Sequence, residues 1–337
     1  MRHRSSKPFS VASPSRTQKA VSITAAVVAA AGGAALLNHC LAKQAERRNP
    51  PRGRFVSVQG VCLHYVERGT GPAVVLLHGN GSMVEDFQSS GLIDLAAKNY
   101  RVIAFDRPGF GHSNRPRHIN WTPVAQASLI AAALEKIGAP PAIVLGHSWG
   151  ALVALALAIN YPRQVQALVL ASGYYYPTAR TDVAILSPPA IPIIGDILSH
   201  TISPLLARVM WPLILRKIFG PNRVPKKFDG FPEEMAVRPS QIRASAAETA
   251  LMIPAVSKLQ NEYHQLQMPM TIVAGARDRI VESEQAERLN GNIPQSTLRC
   301  IPGTGHMVHQ TATAEIISAI DSVAGQANKP ELVPSAA

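Results

Sequence analysis

Ser148 stands in Gly146-His147-Ser148-Trp149-Gly150, between a short apolar run of β type at 142–145 and a helix-forming run at 151–159 that Asn160-Tyr161-Pro162 ends. A G-x-S-x-G between strand and helix makes a sharp turn that lifts a serine hydroxyl clear of a sheet, a nucleophile elbow. A hydroxyl is a poor nucleophile until a base takes its proton, and a third group must hold that base in the right tautomer. The partners around such an elbow follow in the order serine, acid, histidine. Here the apolar run 270–274 leads into Gly275-Ala276-Arg277-Asp278-Arg279-Ile280-Val281, and the run 297–301 leads into Gly303-Thr304-Gly305-His306-Met307. Asp278, 130 residues after Ser148, is the candidate acid; His306, 28 residues further on, is the candidate base. A hole for the developing oxyanion needs two backbone N–H groups. Trp149, directly after the serine, supplies one, and Asn80 in His78-Gly79-Asn80-Gly81-Ser82 supplies the other. His147, His309, His78 and Asp106 are read as packing or bracing residues. Asp106 fixes the turn of Asp106-Arg107-Pro108-Gly109-Phe110-Gly111-His112-Ser113.

The elements that must carry these residues are legible as short apolar runs. Residues 55–58 and 61–66, separated by Gln59-Gly60, read as a β-hairpin. Runs at 73–77, 100–105, 142–145, 165–170, 270–274 and 297–301 fit parallel strands buried on both faces. Helical stretches such as 123–137 lie between them. The fold class expected is therefore α/β, a doubly wound, mostly parallel sheet. The alternation breaks between about 173 and 263, a Pro-rich, largely helical stretch read as a lid over the carboxyl ends of the strands. In open α/β sheets that edge holds the ligand.

With HGNGS at 78–82, DRPGFGHS at 106–113, GHSWG at 146–150, GARDRIV at 275–281 and GTGHM at 303–307, the chain resembles the α/β-hydrolase superfamily, in its serine-nucleophile, lidded form, over about residues 54–325. The resemblance implies Ser148 as nucleophile, Asp278 as acid, His306 as base, and oxyanion amides at Asn80 and Trp149. Dehalogenase and epoxide-hydrolase relatives place an aspartate at the elbow, where this chain has Ser148. Some relatives carry the acid after the preceding strand; here that position reads Ala171-Ser172-Gly173, which favours Asp278.

Composition bounds the rest. The net charge is +12. Residues 1–54 hold ten Lys/Arg and one acid, Glu46, so most of the charge lies in a tail and not in the folded domain. Nucleic-acid binding is not expected. Cys40, Cys62 and Cys300 show no metal spacing, and no metal or cofactor is expected. The organisation expected is a basic disordered tail at 1–19, a hydrophobic segment at 20–42, a linker at 43–53, the hydrolase-like domain at 54–325 and a disordered tail at 326–337. Residues 20–37 carry no charge, close to the ~20 residues that cross a bilayer. A membrane anchor, a signal peptide for export and a plain Ala-rich helix are the three readings, the anchor being preferred. Five Lys/Arg flank the segment on each side, so the positive-inside rule leaves its orientation tied.

The function expected is hydrolysis of an ester, thioester or lactone of a small to medium hydrophobic acid through an acyl-enzyme. The alternatives are carbon–carbon bond hydrolysis or cofactor-free perhydrolysis with the same three residues, and, further off, a binding protein without turnover.

Overall fold

The computed structural model describes residues 16–327. Residues 1–15 and 328–337, most of the two expected tails, lie outside that range. Helix α1 (Arg16–Arg48) opens the described chain. It takes in residues 16–19, expected as tail, and runs through residue 42 into the expected linker. No proline interrupts it, and a Lys43–Glu46 pair at 2.9 Å bridges its last turns at i,i+3 spacing. It stops where Asn49-Pro50-Pro51 disfavours helical backbone.

Strands β1 (Arg54–Val58) and β2 (Val61–Arg68) form the expected antiparallel hairpin. Its two turn residues, Gln59 and Gly60, both have positive φ (48° and 75°), the twist-matched two-residue turn. Then follow β3 (Ala73–Leu77), α2 (Val84–Ser89), α3 (Leu92–Ala96), β4 (Arg101–Phe105), α4 (Pro123–Lys136), β5 (Ala142–His147), α5 (Trp149–Asn160) and β6 (Val165–Ala171). A helical insertion comes next: α6 (Thr181–Leu186), α7 (Ile194–His200), α8 (Ile202–Phe219), α9 (Glu233–Ala236) and α10 (Pro239–Leu259). The chain returns to the sheet with β7 (Met270–Gly275), α11 (Glu284–Asn292), β8 (Ser296–Ile301), α12 (Val308–Thr311) and α13 (Thr313–Ala327).

The eight strands lie in the order β1-β2-β4-β3-β5-β6-β7-β8. The two pairings that β2 makes are antiparallel and the rest are parallel. Strand side chains alternate between two cores. Val75, Leu77, Ile103, Phe105 and Val144 pack with α4 and α5 on one face. Val74, Leu76, Val102, Ile143 and Leu145 pack with α2, α3 and α13 on the other. Both faces being covered, β3, β5 and β7 are wholly buried. Parallel pairing also sends the loops after β3, β5, β7 and β8 to one edge, where the candidate chemistry gathers.

One buried ion pair fastens the insertion to that edge. Arg107, after β4, and Glu248, on α10, are both 0% exposed. The guanidinium meets Glu248 through both Nη atoms, Nη2 donating at 3.0 Å, and donates to Gln126 Oε1 (2.9 Å), His78 O (2.7 Å) and Gly79 O (2.9 Å). Removing one partner leaves the other charge buried and unpaired. Glu248→Ala is expected to cost about 3–5 kcal/mol in chemical denaturation, and an apolar double replacement, Arg107→Met with Glu248→Leu, to recover most of it.

Candidate active site

Residues 142–159 are buried throughout except for Ser148. It sits between β5 and α5 with φ 53° and ψ −119°, a region a β-carbon makes costly. The flanking glycines let the turn close. A Cβ on Gly146 would stand 2.4 Å from Gly150 O, and one on Gly150 would stand 2.1 Å from Leu77 O.

Asp278 follows β7 and His306 follows β8. His306 Nδ1 lies 2.7 Å from Asp278 Oδ2. The other carboxylate oxygen, Oδ1, accepts from the amides of Ile280 (2.7 Å) and Val281 (3.0 Å). A proton shared with Asp278 on Nδ1 leaves Nε2 of His306 as the basic nitrogen. The structure thus joins Asp278 and His306 directly. Ser148 comes beside them through its neighbour His147, whose ring centroid is 5.1 Å from that of His306 and whose Nε2 is 3.1 Å from His306 O. Among the described residues no hydrogen bond joins Ser148 to His306.

Behind this pair lies a second one. His309 Nε2 is 2.9 Å from Asp86 Oδ1, and both side chains are buried. Asp86 also accepts from Ser82 Oγ (2.9 Å) and Gln310 Nε2 (2.8 Å). Burial alone would raise the Asp86 carboxyl; the charge and hydrogen bond of His309, helped by His147 and Gln310, outweigh it and hold it below the ordinary range. His147 packs between the two pairs, 4.3 Å from the His309 ring. Its own burial, followed by the neighbouring imidazoles of His309 and His306, pushes it well below the usual histidine value, so it is neutral. Asp86, His147 and His309 offer three ligand atoms within 4.8 Å of one another. They are the described group with metal-holding spacing, and within it the Nδ1 atoms of His147 and His309 have no hydrogen-bond partner among the described residues.

The oxyanion candidates take their places from the insertion and from β4. Asn80 Nδ2 donates to Ser245 O (3.1 Å) and Thr249 Oγ1 (3.0 Å) on α10. His78 is neutral, its pKa pulled down to about 3 by burial and then by Arg107. Its Nδ1 meets Gly79 O at 2.8 Å, and its Nε2 accepts from the Arg107 amide at 3.0 Å. Asp106 accepts from His64 Nδ1 (2.7 Å) and from the amides of His112 (2.9 Å) and Val84 (2.8 Å). Burial raises its carboxyl, but the hydrogen bond and charge of His64 bring it below the ordinary range. A cavity of about 900 Å³ opens beside α10, lined by Gly109 and residues 111–121 with Arg238, Arg243, Ala244 and Ala247, and not by Ser148, Asp278 or His306.

The sequence reading gave no role to Arg107, Glu248 or Asp86. Glu248 did leave a signal: it is the acid of α10 and follows Gln241 and Ala244 at helical spacing along a buried face.

With the geometry in view, comparison with known proteins is decisive. Residues 72–313 match the family described as alpha/beta hydrolase fold. The chain belongs to that family. It is 24% identical over 272 residues to haloalkane dehalogenase 2 of Mycobacterium tuberculosis (strain ATCC 25618 / H37Rv), covering 77% of this chain and 90% of that protein. A thermophilic esterase from Thermogutta terrifontis superposes with a TM-score of 0.67 at 21% identity, covering 82% of this chain and 100% of its own. A bacterial membrane phospholipase A superposes with a TM-score of 0.64 at 20% identity, covering 93% and 100%. These last two are likenesses of fold.

Next to Asp106, Glu85 is pushed up to about 7 by burial and then by the Asp106 charge. Its folded value lies above its ordinary 4.5, so its contribution is complete below about pH 4.5 and is lost as pH rises through 7. Glu85→Gln keeps the neutral shape and removes that loss. Thermal melts across pH 5–8 should show the variant close to the wild type at pH 5 and more stable at pH 8, by about 2 kcal/mol.

Proposed function

We propose that this hydrolase cleaves an ester, thioester or lactone of a hydrophobic substrate through an acyl-enzyme on Ser148. The observation that carries the proposal is the setting of Ser148. It is the accessible residue in an otherwise buried run, held at a strained turn on the sheet edge that also carries the bonded Asp278–His306 pair. His306 Nε2 takes the serine proton, and Ser148 Oγ adds to the substrate carbonyl. Asp278 holds the imidazole and stabilises its charged form. The amides of Asn80 and Trp149 receive the oxyanion. His306 returns the proton to the leaving oxygen or sulfur, and a water activated by His306 then releases the acid. The helical insertion acts as a lid, with α10 its fixed wall against the Asn80 loop.

Likeness to a dehalogenase does not carry over to its reaction. A serine oxygen displacing halide from an alkyl carbon would form a dialkyl ether, which has no carbonyl for water to attack. An acyl ester on the same serine does, so a serine at this turn suits acyl transfer. Fold-level likeness to an esterase and a membrane phospholipase A points the same way.

Helix α1 is read as a retained membrane anchor. Its carboxyl-terminal half is built into the insertion: Asn38 and Ala45 are buried, and Glu46 pairs with Arg238 at 3.1 Å. A segment removed as a signal would take such contacts with it.

Purified protein should be labelled by a fluorophosphonate probe and hydrolyse p-nitrophenyl acyl esters. Ser148→Ala should abolish labelling and lower kcat/KM on the order of 10⁴-fold or more. Equal labelling of the Ser148→Ala variant would overturn the reading. Turnover of vinylogous diketones in preference to esters would shift it to carbon–carbon hydrolysis.

A further inference from the structure

Helix α8 is apolar on both its inner and outer sides, interrupted by Arg208, Arg216 and Lys217. Its inner side carries Trp211, Leu215 and Phe219 into a small core with Phe228, Phe231 and Met235. Its outer side is an exposed stripe at helical spacing, Ile202, Leu206, Val209, Met210, Leu213 and Ile214; Val209 is 76% exposed. Ile193, Ile194 and Ile197 on and before α7 are exposed as well. A helix apolar on opposite sides belongs in a core or in lipid, and an apolar patch this extended marks a surface with a partner.

The place of the stripe in the fold names the partner. Helix α1 contains a segment, Ser22–Arg48, long and apolar enough to cross a membrane and 6% buried. The pair α7–α8, bent by 53°, passes the same test as a broken or re-entrant span. The two are tied together at the bend. Asn38 of α1 is fully buried, and its Nδ2 donates to the carbonyls of His200 (3.0 Å) and Thr201 (2.7 Å), which close α7. Arg208 of α8 donates to Asn38 Oδ1 at 3.0 Å. Asn38 is five residues before Lys43, the first Lys or Arg after the apolar stretch, roughly 7.5 Å of helix rise on its apolar side. The bend is therefore held at the depth where an acyl region meets headgroups. Charge agrees: residues 197–228 hold six Lys/Arg and no acid, and Arg216 and Lys217, at the end of α8, are exposed. Basic side chains bordering an apolar helix face suit an anionic leaflet.

We propose that the outer face of α7 and α8 is embedded in the leaflet that α1 enters, with the basic border at its anionic headgroups, so that the insertion is a membrane-resident wall of the site. This rests on the reading of α1 as an anchor.

The test uses the full chain in vesicles of phosphatidylcholine, with and without phosphatidylglycerol. In a background of Cys40→Ala, Cys62→Ser and Cys300→Ser, an environment-sensitive fluorophore is attached at Ile202→Cys, Val209→Cys, Val28→Cys on α1, or Glu135→Cys on α4, whose helix packs on α5 and β1. Probes at 202 and 209 should shift to the blue and be quenched by nitroxide-labelled lipids, more strongly with phosphatidylglycerol; the probe at 135 should stay in water. Quenching at 28 but not at 202 and 209 would overturn the proposal and leave the anchor standing. No quenching at any of the three would overturn both. Blue-shifted probes at 202 and 209 that lipid nitroxides fail to quench would put protein, such as a second copy, on this face and overturn the proposal. None of these readouts depends on hydrolysis, so they stand apart from the chemistry assigned to Ser148.

Discussion

The Arg107–Glu248 pair is the constraint on which the site depends. It gathers the loop after β4, the loop after β3, α4 and α10 around one buried guanidinium and uses its N–H donors on Glu248, Gln126, His78 O and Gly79 O. A trans peptide points its C=O and N–H in opposite directions. Since Gly79 O is turned toward Arg107, the N–H of Asn80 is turned away from it. The charge that secures the insertion therefore also sets the direction of the amide assigned to the oxyanion. The Asn80 side chain, bonded to Ser245 and Thr249 of α10, holds the same peptide from the other side. Positioning of this kind is done before substrate arrives, which is what makes electrostatic stabilisation effective.

The histidines solve a problem of crowding. Two imidazole–carboxylate pairs, His306–Asp278 and His309–Asp86, lie on either side of His147. A charged ring between them would oppose the gain of a proton on His306. Burial and its like neighbours keep His147 neutral, and its Nε2 holds the main chain of His306. His147, the residue before Ser148, thereby becomes a neutral spacer that steadies His306.

Much of this was readable in the residues. The central strands β3, β5 and β7 appear as continuous apolar runs because, covered on both faces, they leave no polar alternation to blur them. The elbow is readable because close backbone approach demands Gly146 and Gly150. Asp278 and His306 are readable because each follows a strand that parallel pairing sends to the same edge. Arg107 and Glu248 were not, for they meet across 141 positions and each looks like an ordinary charged residue until burial is known. Asp86 was hidden likewise, a first-turn acid on a short helix. Helix α1 runs further than expected because Lys43, Glu46, Arg47 and Arg48 read as a polar linker, whereas the Lys43–Glu46 pair and the Arg47 bond to Lys43 O continue the helix.

Helices α5 and α8 show where composition stops and three-dimensional supply begins. Both are apolar on opposite sides. Helix α5 is sealed between the sheet, α4 and neighbouring loops, so its residues 149–159 are buried. Helix α8 has a core on one side only; on the other its leucines, isoleucines and valine are largely exposed. Burying such side chains is worth on the order of 1.5–3 kcal/mol each, a gain the fold leaves unrealised unless something outside the chain supplies the apolar surroundings. Asn38 fixes where that must happen, since it binds the α7–α8 bend to the helix most suited to lie in lipid. On the proposed membrane placement, the insertion is shaped on two sides at once, by the sheet edge beneath it and by the acyl region beside it, and a hydrophobic substrate partitioned into that region would meet the insertion before it met water.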